Sequence, residues 1–169
     1  EAAWRDALDA TREQPRTLVL RDYHVDNLMR IPGRKGVQAC GLLDFQDAVA
    51  GPAAYDLASL LEDARRDVPS RIKVAMIDRY LGAFASLDQS TFRAAFTILA
   101  AQRHAKVIGI FTRLCVRDRK PVYLRHIPRV WRLLDSALRE PRLGPIASWF
   151  ARHLPLEARG VPQCRYAAE

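Results

Sequence analysis

The spacing of apolar residues changes after Gly51-Pro52, and this change limits the folds open to the chain. Upstream, short strand-like runs alternate with polar loops. Downstream, apolar residues recur every three or four positions, which is the period of an amphipathic helix. Because the strand-like runs are few and short, they cannot build a large sheet. The pattern predicts an α+β fold that is mainly α, with a small β-hairpin region near its N-terminal end.

Turn and capping residues divide the chain into expected elements. A turn is expected at residues 32–36, where proline fixes φ and glycine permits a positive φ. Strands are expected at residues 17–20, 28–31 and 37–45. Helices are expected at residues 2–12, 57–64, 70–84, 91–117, 122–139 and 145–153. Residues 155–169 are polar and lack periodicity, so this tail is expected to be loosely held.

The charge balance bears on the kind of partner. The chain carries a formal net charge of +8, from 27 lysine and arginine residues against 19 acidic residues. This excess would suit nucleic acid. However, the arginines are scattered along helical segments with acids between them, and there is no basic run or aromatic-rich β platform. Solvated helix faces are the favoured interpretation, and nucleic acid is not expected as a partner.

The apolar runs bear on location. Each is broken by charges within a few residues, whereas a membrane-spanning helix needs about 20 consecutive apolar residues. The first residues also lack the basic, apolar and small-residue order of a secretion signal. We therefore expect no membrane association and a cytoplasmic location.

A polar cluster lies between the first two expected strands, at Arg21, Asp22, His24, Asp26 and Asn27. Phosphoryl transfer needs a carboxylate to orient the attacking hydroxyl and oxygen ligands to hold Mg²⁺ against nucleotide phosphates. Asp22 and Asn27, with Asp44 at the end of a later strand, have the side chains for these tasks. The alternative is that these residues are ordinary turn formers, which bond to nearby backbone.

The motifs carry a family resemblance. Arg21-Asp22 with Asn27 resembles the R-D-x-x-x-x-N catalytic loop of protein kinases, and D-F-Q at 44–46 resembles their D-F-G segment. The D-x-H-x-x-N pattern at 22–27 is more similar to the aminoglycoside phosphotransferase and choline kinase group. G-L-L-D-F-Q-D-A at 41–48 and Y-D-L-A at 55–58 resemble that group's metal segment and following helix start. Segments 101–111 and 123–131 resemble bacterial kinases of the anomeric hydroxyl of N-acetylmuramate and N-acetylglucosamine.

The resemblance implies both a fold and a set of roles. Residues 1–154 would form the helical C-terminal lobe of a protein-kinase-like fold, with the hairpin region carrying the catalytic and metal loops. Asp22 would be the catalytic base, and Asn27 and Asp44 would bind Mg²⁺, with ATP as the phosphoryl donor. The residues implied to brace the catalytic loop are His24, Asp56 and Arg21.

The resemblance also implies a missing part. The chain has no glycine-rich phosphate loop and no strand lysine of the kinase type. The ATP-binding N-terminal lobe is therefore expected to be absent from this chain, and the fragment alone is expected to be inactive. The alternative is a non-catalytic binding or regulatory module that kept only the kinase-like lobe.

The acceptor is expected to be a small molecule, either an amino sugar or an aminoglycoside-like compound. Arg103 falls on the otherwise apolar stripe of the helix at 91–117, and a buried guanidinium needs a partner. Either Arg103 and Lys106 reach an acidic substrate or phosphate in a cleft, or Arg103 pairs with an internal acid, which is the favoured alternative. Asp26 is expected to be exposed, as a further candidate for contact with the substrate.

Overall fold

The computed structural model describes residues 1–163 of the 169-residue chain. It is mainly helical, as predicted, and has two small two-stranded sheets. The helices are α1 (Ala2–Asp9), α2 (Ala54–Leu61), α3 (Ser70–Ala83), α4 (Gln89–Asp118), α5 (Ile127–Ala137) and α6 (Gly144–His153). The strands are β1 (Arg16–Val19), β2 (Leu28–Arg30), β3 (Cys40–Leu42) and β4 (Val49–Pro52). Single 3₁₀ turns lie at Val25–Asn27, Gly36–Ala39, Pro121–His126, Pro141–Leu143 and Leu156–Ala158.

Two antiparallel strand pairs carry the loops of interest. β2 pairs with β3, with Leu28 opposite Leu42, and this is the predicted hairpin. β1 pairs with β4, which sequence analysis did not predict. A Cβ on Gly51 would lie only 3.1 Å from the Cγ2 of Val19, so glycine permits the close approach of these strands. Glycine and proline in β4 weaken its sequence signal, although they suit this edge position.

α4 is the central helix and packs against both halves of the core. Toward its N-terminal end, Phe92 and Phe96 are buried against α2 and α3. Toward its C-terminal end, Val107 and Phe111 join a second cluster with α5 and α6. Burying an aromatic or branched side chain contributes roughly 1.5–3 kcal/mol, so the two clusters anchor the 30-residue helix along its length.

Local signals explain where α4 begins and ends. The Asp88 carboxylate accepts a hydrogen bond from the Thr91 backbone N–H at 2.8 Å and one from the Ser90 hydroxyl at 2.7 Å. The Thr91 bond is the main reason that the pKa of Asp88 falls to about 2. At the other end, Arg119 adopts the left-handed conformation with φ 53, which closes the helix.

The predicted helix at residues 122–139 is divided in two. Residues Pro121–His126 form a 3₁₀ turn, and α5 starts only at Ile127. Pro128 lies in the first turn of α5, where the missing N–H of proline costs nothing. The apolar period continues through both segments, so sequence periodicity alone could not separate them.

The segment after α6 is anchored at one residue. The Arg159 Nε donates to the Leu154 carbonyl at 2.7 Å, and its guanidinium pairs with Asp135 on α5. The same guanidinium lies 5.2 Å from the ring centre of Trp131. The tail is therefore held at Arg159, and loose attachment stays a prediction for residues 164–169, which lie outside the described part of the chain.

Within residues 1–163, none of the helices combines the length and apolar character needed to cross a bilayer.

Candidate active site

The loop after β1 is fixed through its backbone. Asp56, in the first turn of α2, accepts hydrogen bonds from the N–H groups of Leu20 at 2.6 Å and Arg21 at 3.1 Å. Arg21 has φ 71, a left-handed conformation that residues other than glycine rarely adopt. Burial raises the pKa of Asp56, although the two N–H groups and Arg103 oppose that effect. The backbone N–H of Arg21 thus ties the loop to Asp56, and Arg21 is one of the residues that line a cleft.

Arg103 holds the same loop from the side of α4. One of its guanidinium nitrogens donates to the Arg21 carbonyl at 3.2 Å, and the other lies 3.9 Å from the Asp22 Oδ1. Its side chain is only 11% exposed. Arg103 therefore contacts an acid, but Asp22 is a half-exposed residue of the cleft and not an internal acid. Contact of Arg103 with an acidic substrate or phosphate stays a prediction.

Asn27 brings the two candidate acids together. Its side-chain N–H₂ donates to the Asp22 carbonyl at 2.9 Å and lies 3.5 Å from the Asp44 Oδ2. The Leu43 N–H donates to the Asn27 carbonyl at 3.0 Å, which extends the β2–β3 ladder by one bond. This bond places Asp44 beside Asn27, although 17 residues separate them.

Asp44 is also held locally. It has φ 57, so the chain turns sharply at the end of β3. The Gln46 side chain donates a short hydrogen bond to the Asp44 Oδ1. Gln46 therefore orients the carboxylate at the position where protein kinases have glycine.

The donor set suits Mg²⁺. Carboxylate and amide oxygens are hard ligands, and Mg²⁺ usually binds one or two of them while keeping waters and phosphate oxygens. Asp44 and Asn27 supply such a pair. In the described part of the chain, no three His, Cys, Asp or Glu side chains are grouped to enclose a metal alone. At an open site of this kind, waters and phosphate oxygens would complete the coordination.

His24 is buried inside the loop. It is 5% exposed, and its ring nitrogens lie 3.6 Å from the Asp22 Oδ1 and 3.7 Å from the Asp26 Oδ2. Both separations exceed the usual hydrogen-bond length. His24 therefore lies between two carboxylates and supports the loop mainly by packing.

Asp26 points away from the candidate catalytic residues. Its carboxylate forms an ion pair with Arg66 at 2.8 Å. The Arg66 Nε also lies 3.6 Å from the buried Asp63 that follows α2. Asp26 is not among the residues that line the cleft. Its ion pair connects it to the segment after α2, and not to the candidate catalytic residue Asp22.

The cleft has a volume of about 310 Å³ and lies between the catalytic loop and α4. Its acidic residues come from the loops of the β region and are Asp22, Asp44 and Asp47. Its basic residues are Arg21, Arg65, Arg103 and Lys106. Its apolar wall includes Val107, Ile110, Phe111, Leu114 and Tyr123. The cleft thus places the candidate acids, including the candidate metal ligand Asp44, opposite a basic and apolar wall formed mainly by α4. Asn27 does not line the cleft, although its side chain lies beside Asp44.

Sequence analysis missed a buried network behind this wall. Glu62 lies between His104, whose Nε2 is 2.7 Å from its Oε2, and Lys73, whose Nζ is 2.8 Å from its Oε1. Burial raises the pKa of Glu62, but the bonds to His104 and Lys73 outweigh burial and leave that pKa below its ordinary value. The network joins α3 and α4. One sequence signal could have indicated this network: His104 is a second polar residue directly after Arg103, which interrupts the apolar stripe of the helix.

A second missed contact holds the segment after α2. Arg129 on α5 forms a two-point ion pair with Asp67, at 2.9 and 3.1 Å. It also donates to the Arg65 carbonyl at 2.8 Å. Arg129, in the R-H-I-P-R-V-W segment, therefore helps to position Arg65 at the edge of the cleft, although Arg129 does not line the cleft itself.

Comparison with known proteins agrees with the resemblance predicted from the motifs. The chain is 42% identical to the N-acetylmuramate/N-acetylglucosamine kinase of Caulobacter vibrioides over 159 residues, which cover 94% of this chain and 44% of that protein. It is 38% identical to the protein of that name from Pseudomonas aeruginosa, over 89% of this chain and 46% of the relative. The chain therefore spans less than half the length of these relatives.

A family model supports the same relationship. The model described as "Phosphotransferase enzyme family" matches residues 1–91. This range contains the loop with Asp22, the Asp44 segment and the segment after α2, which line one side of the cleft, whereas α4 and Tyr123 line the other. Because the match covers more than half of the 169 residues, the chain belongs to the phosphotransferase enzyme family.

Proposed function

We propose that this chain is the helical C-terminal lobe of an ATP-dependent kinase with a protein-kinase-like fold. The parent protein would transfer the γ-phosphate of ATP to a hydroxyl group of an amino sugar, with N-acetylmuramate and N-acetylglucosamine as the favoured acceptors. The observation that carries the proposal is the position of Asn27, whose side chain bonds to the Asp22 carbonyl and approaches the Asp44 carboxylate, since Asp22 and Asp44 both line the cleft. The names of the relatives support the choice of acceptor.

Each side chain has a proposed role. The Asp22 carboxylate orients the attacking hydroxyl and accepts its proton. Asp44 and the Asn27 amide oxygen hold Mg²⁺, which when bound neutralises charge on the ATP phosphates. Asp56 and Arg103 fix the loop that carries Asp22, so that little reorganisation is needed when the acceptor binds.

The ATP-binding lobe is proposed to come from the rest of a longer protein. Several large apolar side chains on and beside the strands are exposed, namely Leu18, Met29 and Phe45, at 67%, 52% and 60%. Exposed apolar side chains that lie together in a contiguous patch mark interaction sites. We propose that it contacts the ATP-binding lobe, that the parent acts in the cytoplasm, and that the present fragment alone is inactive.

The test is ADP formation by the full-length protein in the presence of each sugar and Mg²⁺. Asp22→Asn and Asp44→Asn should each lower kcat by about 10²-fold or more, as expected for loss of a catalytic acid–base group or metal ligand. Asp6→Asn, at an exposed site on α1, is the matched control and should leave kcat unchanged.

Two outcomes would contradict the proposal. Sugar-dependent ADP formation that survives in both cleft variants would exclude Asp22 and Asp44 from the chemistry. Sugar binding by the full-length protein with no ADP formation would support the alternative of a non-catalytic module.

A further inference from the structure

The helical wall of the cleft carries two cations that have no acidic partner. Lys106 projects from α4 and Arg65 from the segment after α2, and both line the cleft. Within residues 1–163, neither side chain forms an ion pair or a hydrogen bond. Arginines nearby differ, since Arg66 pairs with Asp26 and Arg129 with Asp67. Uncompensated positive charge on a cleft wall favours an anionic ligand group.

The backbone of Arg65 is fixed from both sides. Its N–H donates to the Asp63 Oδ1 at 2.8 Å, and its carbonyl accepts from Arg129 at 2.8 Å. Asp63 is only 3% exposed, and Asp67 holds Arg129 through two bonds. The segment therefore presents the Arg65 side chain to the cleft from a rigid base, which reduces the entropy lost on binding.

Positive charge is concentrated around this segment. The pKa of His126, beside the cleft wall, is lowered first by burial and then by the charges of Arg125, Arg129 and Arg65. Asp63 opposes that effect. The acids that line the cleft belong instead to the catalytic loop and the Asp44 segment. Arg21 also lines the cleft, but it lies next to Asp22 on the catalytic loop itself.

Apolar surface lies beside the two cations. Val107, Ile110 and Leu114 line the cleft on α4, within two turns of Lys106. Tyr123 lines it from the following 3₁₀ turn, and its ring packs against Phe111 with the ring centres 5.4 Å apart. An aromatic ring that is held in place in this way can pack against the apolar C–H face of a sugar ring. The wall can therefore bind a sugar ring and an attached anion together.

We propose that Arg65 and Lys106 form a subsite for the carboxylate of an acidic amino sugar, and so determine preference between the two acceptors. The inference rests on the proposed function. N-acetylmuramate carries a lactyl ether that ends in a carboxylate, whereas N-acetylglucosamine has a neutral hydroxyl at that position. The planar guanidinium of Arg65 can bind a carboxylate through two nitrogens, and the Lys106 ammonium adds a point charge.

The test compares the two sugars with the full-length protein, by ADP formation at saturating ATP. The variants are Arg65→Gln, Lys106→Gln and their combination. Loss of a charge-assisted hydrogen bond should raise KM for N-acetylmuramate by about tenfold or more, while KM for N-acetylglucosamine stays within about twofold. Lys35→Gln and Arg152→Gln remove exposed charges away from the cleft and serve as controls.

Other results would overturn the subsite. An equal rise in KM for both sugars would mean that the cations do not recognise the carboxylate. A rise in KM for ATP, measured with N-acetylglucosamine, would assign them to the nucleotide phosphates. Unchanged KM for N-acetylmuramate in the double variant would exclude the subsite while leaving the proposed function intact. If the unmodified protein phosphorylates neither sugar, both proposals fail.

Discussion

The Arg103 guanidinium donates a hydrogen bond to the carbonyl oxygen of Arg21, across 82 residues of chain. Arg21 has a left-handed backbone, and its N–H is bonded to Asp56. The strained residue that precedes Asp22 is therefore held at both of the peptide groups that flank its Cα. Because backbone strain of this kind persists only where the surroundings enforce it, Arg103 and Asp56 together set the direction of Asp22.

Loss of Arg103 should therefore affect turnover more than binding. In the full-length protein, Arg103→Met should lower kcat by about 10- to 100-fold with little change in KM for the sugar, because Asp22 is misplaced. Arg103→Lys should have an intermediate kcat, since lysine keeps the positive charge but lacks the several N–H donors of the planar guanidinium. Steady-state kinetics check this, with Arg113→Met at an exposed site of α4 as control. A rise in KM at unchanged kcat would show that Arg103 contacts the sugar instead.

Removal of Asp56 should loosen the catalytic loop. Asp56→Ala leaves the N–H groups of Leu20 and Arg21 without their acceptor, and an unsatisfied group costs about 1–3 kcal/mol when buried. Because Leu20 and Arg21 are partly solvent-accessible, the lower end of this range is expected for the free energy of unfolding. Chemical denaturation measures it, and Asp6→Ala is the control. Equal stability of the two variants would contradict the bracing role.

The buried Glu62 network should make stability depend on pH. The pKa of Glu62 is lower in the folded protein than its ordinary value of 4.5, so its contribution to stability is present above about pH 4.5 and is lost as the pH falls through the folded pKa. Glu62→Gln should reduce stability at neutral pH by about 1–3 kcal/mol and weaken this acid dependence. Denaturation curves at several pH values test both effects. If stability depends on pH in the same way with and without the substitution, the acid dependence does not come from Glu62, and equal stabilities at neutral pH would contradict the first effect.

Gly51 should be needed for the pairing of β1 with β4. In Gly51→Ala, the new methyl would press on the buried Val19 side chain, so the free energy of unfolding should fall by about 1 kcal/mol. A double-mutant cycle separates this clash from other effects. The Gly51→Ala penalty should shrink in a Val19→Ala background, and an unchanged penalty would mean that Val19 is not the obstacle.

Most of the helical architecture could be predicted from sequence because its signals are local. The expected helix at residues 91–117 corresponds to α4 at Gln89–Asp118, and the helix at 70–84 corresponds to α3 at Ser70–Ala83. Apolar period, an N-cap such as Asp88 and a turn containing proline and glycine act within a few residues. The ordered motifs from Asp22 to Asp56 similarly pointed to the family that the comparisons support.

Contacts between distant residues could not be predicted in this way. β4 forms only because β1 accepts it as a partner, and its glycine and proline argue locally against a strand. The division at Ile127 and the Arg159 anchor likewise depend on packing against neighbouring helices.

The sequence by itself determined the helical periodicity, the turn positions and the chemical types of Asp22, Asn27 and Asp44. Only the tertiary structure decided the partners of the charges: Arg103 with the loop that carries Asp22, Asp26 with Arg66, and Glu62 with His104 and Lys73. It also left Lys106 without an acidic partner among residues 1–163. The physical reason is the separation along the chain over which each interaction acts. Helix formation depends on neighbours three or four residues apart, whereas a buried charge is stabilised by whichever side chain the fold brings within hydrogen-bond distance.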